Sequence, residues 1–247
     1  MSVKDYLLSQ HQVGATAFSI NEKLSHSHVA QTCLAYLLQF NNLNMLNQNT
    51  IGNFPLARYA ARYWILHLRS VGDEWDDVQQ KLVMTLFQPQ HNTRFISWLR
   101  LWNIELPWML PQWDLIKVKP SAIYYAAFAG LLPVVWALIE NGEDVNAQGG
   151  EFGNALQAAS LEGHEAIVSM LLEKGADMSA QGGKYGNALQ AASTGGHEQI
   201  VRLLLEKGVD VNAQGGFYGN ALQAASSKGH TVIVDLLLEQ GADQSIL

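Results

Sequence analysis

A run of 33 residues occurs three times almost verbatim, and it constrains this chain more than any other feature. Residues 149–181 read GGEFGNALQAASLEGHEAIVSMLLEKGADMSAQ. Residues 182–214 read GGKYGNALQAASTGGHEQIVRLLLEKGVDVNAQ, and residues 215–247 read GGFYGNALQAASSKGHTVIVDLLLEQGADQSIL. A period of this length specifies a stacked solenoid, in which each unit contacts only its neighbours.

Within one unit the local signals are those of two short helices. Asn154 is suited to cap the segment 154–160, because its side-chain oxygen can accept from a free N–H of the first turn. The small residues Ala155, Ala158, Ala159 and Ser160 allow a neighbouring helix to approach closely. Gly163 ends that helix, and His164 opens the connection to the next. Residues 165–174 form the second helix, with Ile167, Val168, Leu171 and Leu172 on one stripe. Gly175 stops it by taking positive φ. A long turn rich in glycine and polar residues then leads to the next unit.

Helix, tight turn, helix and long projecting turn at this period resemble the ankyrin repeat. The family's T-P-L-H-x-A-A-x-x-G-H is matched by Asn154-Ala155-Leu156-Gln157-Ala158-Ala159-Ser160-Leu161-Glu162-Gly163-His164. Its L-L-x-x-G-A-D is matched by Leu171-Leu172-Glu173-Lys174-Gly175-Ala176-Asp177. All three copies depart from the pattern in the same way, with Asn for Thr, Ala for Pro and Gln for His. Asn still caps, and Gln157, Gln190 and Gln223 can still bridge to adjacent turns. A fourth, degenerate copy precedes these, with Ser121 to Gly130 aligned to Asn154 to Gly163. Its surface positions read as larger and more apolar (Tyr124, Tyr125, Phe128, Trp136), as expected of a unit that meets the preceding half of the chain. The last copy lacks a polar closing unit, so the chain is either short there or cut.

The predicted fold is therefore all-α. A helical domain spans residues 1–116, and an ankyrin solenoid spans 117–247 in units of about 117–148, 149–181, 182–214 and 215–247. The single cysteine, Cys33, excludes an intramolecular disulfide and fits a reducing compartment. With no signal-peptide core and no membrane-length apolar run, a cytoplasmic location is expected, with the nucleus also open. The net charge of −7 is unevenly placed. Residues 120–247 hold five Lys/Arg against fourteen Asp/Glu, and residues 1–119 hold ten against eight. An acidic stack repels phosphates, which argues against nucleic acid and for a neutral or basic protein partner.

The first half reads as helices at 25–40, 55–68, 75–87 and 93–102, with a short helix at 3–9 and an extended piece at 15–20. Val29, Cys33, Leu34, Leu37 and Leu38 mark one buried face; Leu56, Tyr59, Ala60, Tyr63, Trp64 and Leu68 mark another. Pro55 opens the second of these helices, and Asp73 is the expected cap of the third. The Asn-rich segment 41–53 suggests a mobile connection, and residues 105–119 an aromatic connector. The strings SVKDYLL (2–8), AQTCLAYLL (30–38) and FPLARYAARYW (54–64) resemble the segment that follows the NACHT and winged-helix region of fungal NLR-like (STAND) proteins. In that family the segment leads into repeats of the type GGxYGNALQAAS. The resemblance implies ligand sensing or scaffolding, and this chain looks like the sensor-type part standing alone. No GxxxxGK(S/T) phosphate loop occurs in it.

Catalytic and metal patterns are weak. His26-x-His28 with Cys33 lacks zinc-ligand spacing, so no metal and no cofactor are expected. Asp73, Glu74, Asp76 and Asp77 fit a helix start better than paired acid–base carboxylates. His67 reads as a helix-surface residue, and His164, His197 and His230 as structural parts of the repeat. Cys33 reads as inert core. Two functions remain. In the first, the chain is a non-enzymatic protein-interaction module. Its partner would dock on the concave-side positions that vary between copies or carry an aromatic: Glu151, Phe152, Leu161, Glu162, Lys184, Tyr185, Thr194, Phe217, Tyr218, Ser227 and Lys228. The aromatics Phe152, Tyr185 and Tyr218 are either anchors for that partner or staples between adjacent turns. In the second, the chain is a small-molecule binder or recruited enzyme, with an aromatic pocket of Tyr63, Trp64, His67, Trp108, Trp113, Tyr124, Tyr125 and Trp136.

Overall fold

The computed structural model describes residues 21–72, 75–88, 92–105 and 121–243. The pieces expected at 3–9 and 15–20, the connector beyond Glu105, and Asp73 and Glu74 lie outside the described residues. The chain divides into two compact units, Met1–Ile116 and Lys117–Leu247. Every regular element among the described residues is helical, joined by three isolated β-bridges.

The first unit contains α1 (Glu22–Leu38), α2 (Ala57–Val71), α3 (Asp77–Phe87) and α4 (Asn92–Leu101). Helix α1 begins earlier than its apolar pattern indicates, because the Asn21 side chain caps it by accepting from Leu24 N at 3.0 Å. Its buried side is Ser27, Ala30, Cys33, Leu34 and Leu37. Helix α2 faces the core through Ala57, Ala60, Ala61, Trp64, Ile65, Leu68 and Val71. Leu56 and Tyr59, expected on that face, are instead 57% and 44% exposed. They sit one position off the stripe of Ala57, Ala60, Ala61 and Trp64, and the small alanines are what let the partner helix come close.

Helix α3 is capped by Asp76, not Asp73. The Asp76 carboxylate accepts from Gln79 N at 2.8 Å, and the Gln79 amide oxygen accepts from Asp76 N at 2.9 Å, a reciprocal capping box. The Gln79 amide nitrogen then donates to Ser27 on α1 at 2.9 Å. One residue thus closes a helix start and ties two helices. Trp64, Phe87, Phe95 and Trp98 fill the centre edge-on or tilted, and Trp98 Nε1 donates to Ala61 O at 3.0 Å. The segment 41–53 is not an open linker. It holds two single 3₁₀ turns, Leu43–Met45 and Ile51–Asn53. Asn42 and Asn47 side chains accept from backbone N–H groups two or three residues on, and Leu46 is buried. The asparagines encode turns rather than freedom.

The second unit is four helix pairs: α5 (Ala122–Phe128) with α6 (Leu132–Glu140), α7 (Ala155–Glu162) with α8 (Glu165–Glu173), α9 (Ala188–Gly195) with α10 (Glu198–Glu206), and α11 (Ala221–Lys228) with α12 (Thr231–Glu239). The first helices of the pairs stack in one close-packed row, their alanines almost fully buried. Asn154 accepts from Gln157 N at 3.0 Å, and the Gln157 amide oxygen accepts from Asn154 N at 2.7 Å. Asn187 and Gln190 do the same. The amide nitrogen of each Gln reaches into the next unit, from Gln157 to Gly186 O at 2.6 Å and from Gln190 to Gly219 O at 3.1 Å. The recurring histidines reach the other way. His164, His197 and His230 donate from Nε2 to the carbonyls of Phe128, Leu161 and Thr194, at 3.1, 2.8 and 3.2 Å. Tyr124, Tyr125 and Phe128 are buried rather than on the surface, and of the four enlarged residues only Trp136 is exposed. The Tyr124 hydroxyl accepts from Phe152 N at 3.1 Å, so the added bulk fills the contact with the next turn.

Each unit's long turn lies directly on the previous one. Gly183 has φ +62°, and a Cβ there would sit 2.2 Å from the backbone carbon of Phe152. Gly229 has φ +74° with nothing within 4 Å of its would-be Cβ. Gly229→Ala is therefore expected to cost about 1 kcal/mol, from backbone strain alone. Gly183→Ala adds displacement of a stacked backbone and is expected to cost about 3 kcal/mol or more. Urea unfolding of the two variants measures the difference.

Candidate functional site

The three copies separate residues that serve the stack from residues free of it. At positions 151, 184 and 217 the turn tips are joined through backbone: Lys184 N donates to Glu151 O at 2.9 Å, and Phe217 N donates to Lys184 O at 2.8 Å. Their side chains are therefore free to differ. Glu151 and Lys184 form an ion pair at 3.3 Å on the surface, worth little to stability at that exposure. Phe217 projects outward, 73% exposed.

The neighbouring aromatics behave differently. Phe128, Phe152, Tyr185 and Tyr218 make a continuous column of near-parallel rings, with centroids 5.5, 5.4 and 6.2 Å apart and interplanar angles of 12°, 8° and 6°. Phe152 is buried inside it, while Tyr185 and Tyr218 are half-buried. The column staples adjacent turns, and its outward edge carries cations: Lys184 Nζ lies 5.7 Å from the Tyr185 ring and Lys228 Nζ 5.8 Å from the Tyr218 ring. Phe217 meets Tyr218 edge-on at 5.0 Å. At the ends of the inner helices, Glu162, Ser227 and Lys228 are exposed and Leu161 is half-buried. Thr194 is 7% exposed, and its hydroxyl donates to Gln190 O at 2.8 Å, so it offers little surface. The exposed patch is thus Lys184, Phe217, Glu162, Ser227 and Lys228, with half-buried Glu151 and the edges of Tyr185 and Tyr218 beside them.

An open groove of about 490 Å³ lies elsewhere, lined by Asp177, Met178, Ser179, Asn187, Val209 and Asp210 among others. Sequence reasoning did not single it out, since the Asp of each unit reads as loop chemistry. The Asp177 carboxyl is held below its usual range, chiefly by the Ser179 hydroxyl, which donates to it at 2.6 Å.

The residues of the expected aromatic pocket are placed as follows. Trp64 is fully buried in the core of the first unit, and Tyr63 is half-buried with Arg62 over its ring. Tyr124 and Tyr125 are buried in the second unit, and Trp136 is 52% exposed. Trp108 and Trp113 lie outside the described residues. Cys33 is buried, which pushes its thiol pKa up and keeps it unreactive. Among the described residues no group of three or more His, Cys, Asp and Glu is arranged to hold a metal. No helix among them is long and apolar enough to cross a membrane.

His67 is not an isolated surface residue. Its Nδ1 lies 2.7 Å from Nδ1 of His26 on α1, and its Nε2 lies 3.1 Å from the Tyr59 hydroxyl. Glu22 Oε1 lies 3.9 Å from Nε2 of His26. This pairing joins residues 41 positions apart, which no local sequence pattern announces. Burial, then the neighbouring His26, lowers the His67 pKa from its ordinary 6.5. The unfolded chain therefore binds this proton more readily than the folded one. The associated stability is fully present above about pH 6.5 and is lost as pH falls below it. Thermal melts between pH 7 and pH 5 are expected to show a falling midpoint, and His67→Gln is expected to flatten part of that fall.

A family model for ankyrin repeats (3 copies) matches residues 108–182 and 180–246. The chain is also similar to the azaphilone pigments biosynthesis cluster protein L of Monascus ruber, 40% identical over 177 residues. That alignment takes in 66% of this chain and 37% of the relative, so the chain spans well under half of the relative's length.

Proposed function

The chain belongs to the ankyrin-repeat family, and we propose on that premise that it is a non-catalytic protein-interaction module. Its partner docks on the turn tips and inner-helix ends of the second unit. Ankyrin repeats suggest protein partners in general, and the particular surface rests on one observation. Among the residues that differ between otherwise near-identical copies, one set lies at the turn tips and first-helix ends beside the aromatic column, with Phe217 at 73% exposure as its most prominent apolar group; a second set, such as Ser169, Arg202 and Asp235, lies on the second helices and carries no such aromatic. An exposed aromatic set edge-on against Tyr218, whose ring also carries Lys228, has the composition of an interface anchor.

The finer reading is a sensor or scaffold of the fungal NLR-like kind, and it is supported by the motifs shared with that group's post-NACHT segment. The relative's name ties that protein to a pigment biosynthesis cluster. Enzymes of such clusters are accordingly the first partners to try. The expected charge of the partner also changes. The fourteen acids of residues 120–247 include only Glu151 and Glu162 at the docking positions, where Lys184 and Lys228 balance them. The other acids sit on the outer helices and the loops after them. The docking patch is neutral in sum, which favours an apolar or mixed-charge partner surface over a basic one.

The test is affinity capture from extract of the source cell with the full chain, read by mass spectrometry. The control carries Lys184→Ala, Phe217→Ala and Lys228→Ala together. A protein retained by the native chain and reduced about ten-fold or more on the control is the expected result. Equal retention of every captured protein by both would overturn the docking patch. Because all three side chains are exposed or partly exposed and lie outside the core, the control is expected to keep its melting temperature within about 2 °C.

A further inference from the structure

We propose that His26 and His67 form a two-histidine site for a late first-row divalent metal ion, which clips α1 to α2. The inference is independent of the docking patch, which lies in the other unit. Two imidazole nitrogens from separate helices face each other with 2.7 Å between the Nδ1 atoms. Metal–imidazole bonds run to about 2.0–2.1 Å. Two nitrogens ligating one tetrahedral ion then lie about 3.3 Å apart, so an opening of about 0.6 Å admits it.

The outer nitrogen of His67 follows the pattern, and that of His26 has a carboxylate nearby but beyond hydrogen-bond reach. Ligating histidines hold their orientation by turning the second ring nitrogen to an oxygen, usually a carboxylate, carbonyl or water. Here Nε2 of His67 lies 3.1 Å from the Tyr59 hydroxyl. Nε2 of His26 lies 3.9 Å from the Glu22 carboxylate. The site is reachable, since the His26 side chain is 28% exposed and His67 is half-buried. In the metal-free pair one Nδ1 carries the hydrogen that the other accepts. On binding, that hydrogen leaves Nδ1 and the same ring takes one at Nε2. If the ring is that of His67, the Tyr59 hydroxyl turns from donor to acceptor. No net proton is lost at neutral pH, and both Nδ1 lone pairs point at the metal.

Among the described residues no third His, Cys, Asp or Glu joins the pair. The remaining positions fall to water, and imidazole ligation favours Zn²⁺, Cu²⁺ or Ni²⁺ over Mg²⁺ or Ca²⁺. A bound ion would stabilise the first unit by mass action, because it bridges two helices that separate on unfolding.

The test uses the full chain, stripped by a chelator, and Zn²⁺ alone as the probe. Titration calorimetry is expected to show one equivalent of Zn²⁺ whose affinity falls about ten-fold or more in His26→Gln and in His67→Gln. Tyr59→Phe is expected to weaken it by a smaller factor. His28→Gln is the control, being on α1 but exposed and outside the pair, and is expected to bind as the native chain does. The chain has eight histidines, so site assignment rests on these variants and not on stoichiometry. Saturating Zn²⁺ is expected to raise the melting temperature of the native chain and of His28→Gln only. No rise in the native chain would overturn the site. So would an equal rise in His67→Gln, which would assign the zinc to other histidines.

Discussion

Stacking in the second unit depends on one side-chain amide per repeat. Gln157 and Gln190 each spend both ends. The amide oxygen accepts from the N–H of the Asn that caps their own helix, and the amide nitrogen donates to carbonyls at the base of the next turn. A capping box and a link between repeats are thereby made by the same group. Histidine, the usual residue at this place in the ankyrin pattern, offers two ring nitrogens. The amide offers a matched acceptor and donors at nearly the same reach. In the first two copies the Asn and the Gln therefore act as one unit, since the box needs both members. Loss of either would leave a buried polar partner unpaired, the costly case.

The repeat was legible because its information is local and stated three times. Asn154, Gly163 and Gly175 mark helix ends through backbone requirements that any copy would show. The first unit was less legible because its decisive contacts join distant residues. Four acids in the stretch 73–77 offered several caps, and Asp76 takes the role because Gln79 stands three residues on and also reaches Ser27 on α1. Tyr59 shares the helical period of the core but sits one position off the alanine stripe. The docking patch was half legible: variation located the tips, whereas only geometry shows that Phe152, Tyr185 and Tyr218 stack ring on ring. The His26–His67 contact had no local signal at all.

The division between staple and anchor follows from how the tips are joined. The bonds from Lys184 N to Glu151 O and from Phe217 N to Lys184 O make no demand on the side chain. The next residue in each tip does carry a demand, because its ring must lie flat on the ring before it. One position can therefore hold Glu, Lys or Phe, while its neighbour holds only Phe or Tyr. A surface that changes without disturbing its support is what a recognition module requires, and it arises here from alternation along a turn.

The same reasoning bears on charge. Outer helices face water and can carry acids cheaply; Lys174 with Glu140 and Arg202 with Glu198 offset a few of them. An excess of like charge on that side keeps stacks from associating with one another. The inner row cannot carry such an excess, since its alanines pack against the neighbouring helices and its exposed ends are few. The acidic balance of the whole half thus describes its solvent side. The side that carries the turn tips is governed by an exposed phenylalanine, two half-buried tyrosines and two lysines set against two glutamates, and its selectivity rests on shape and aromatic contact before net charge.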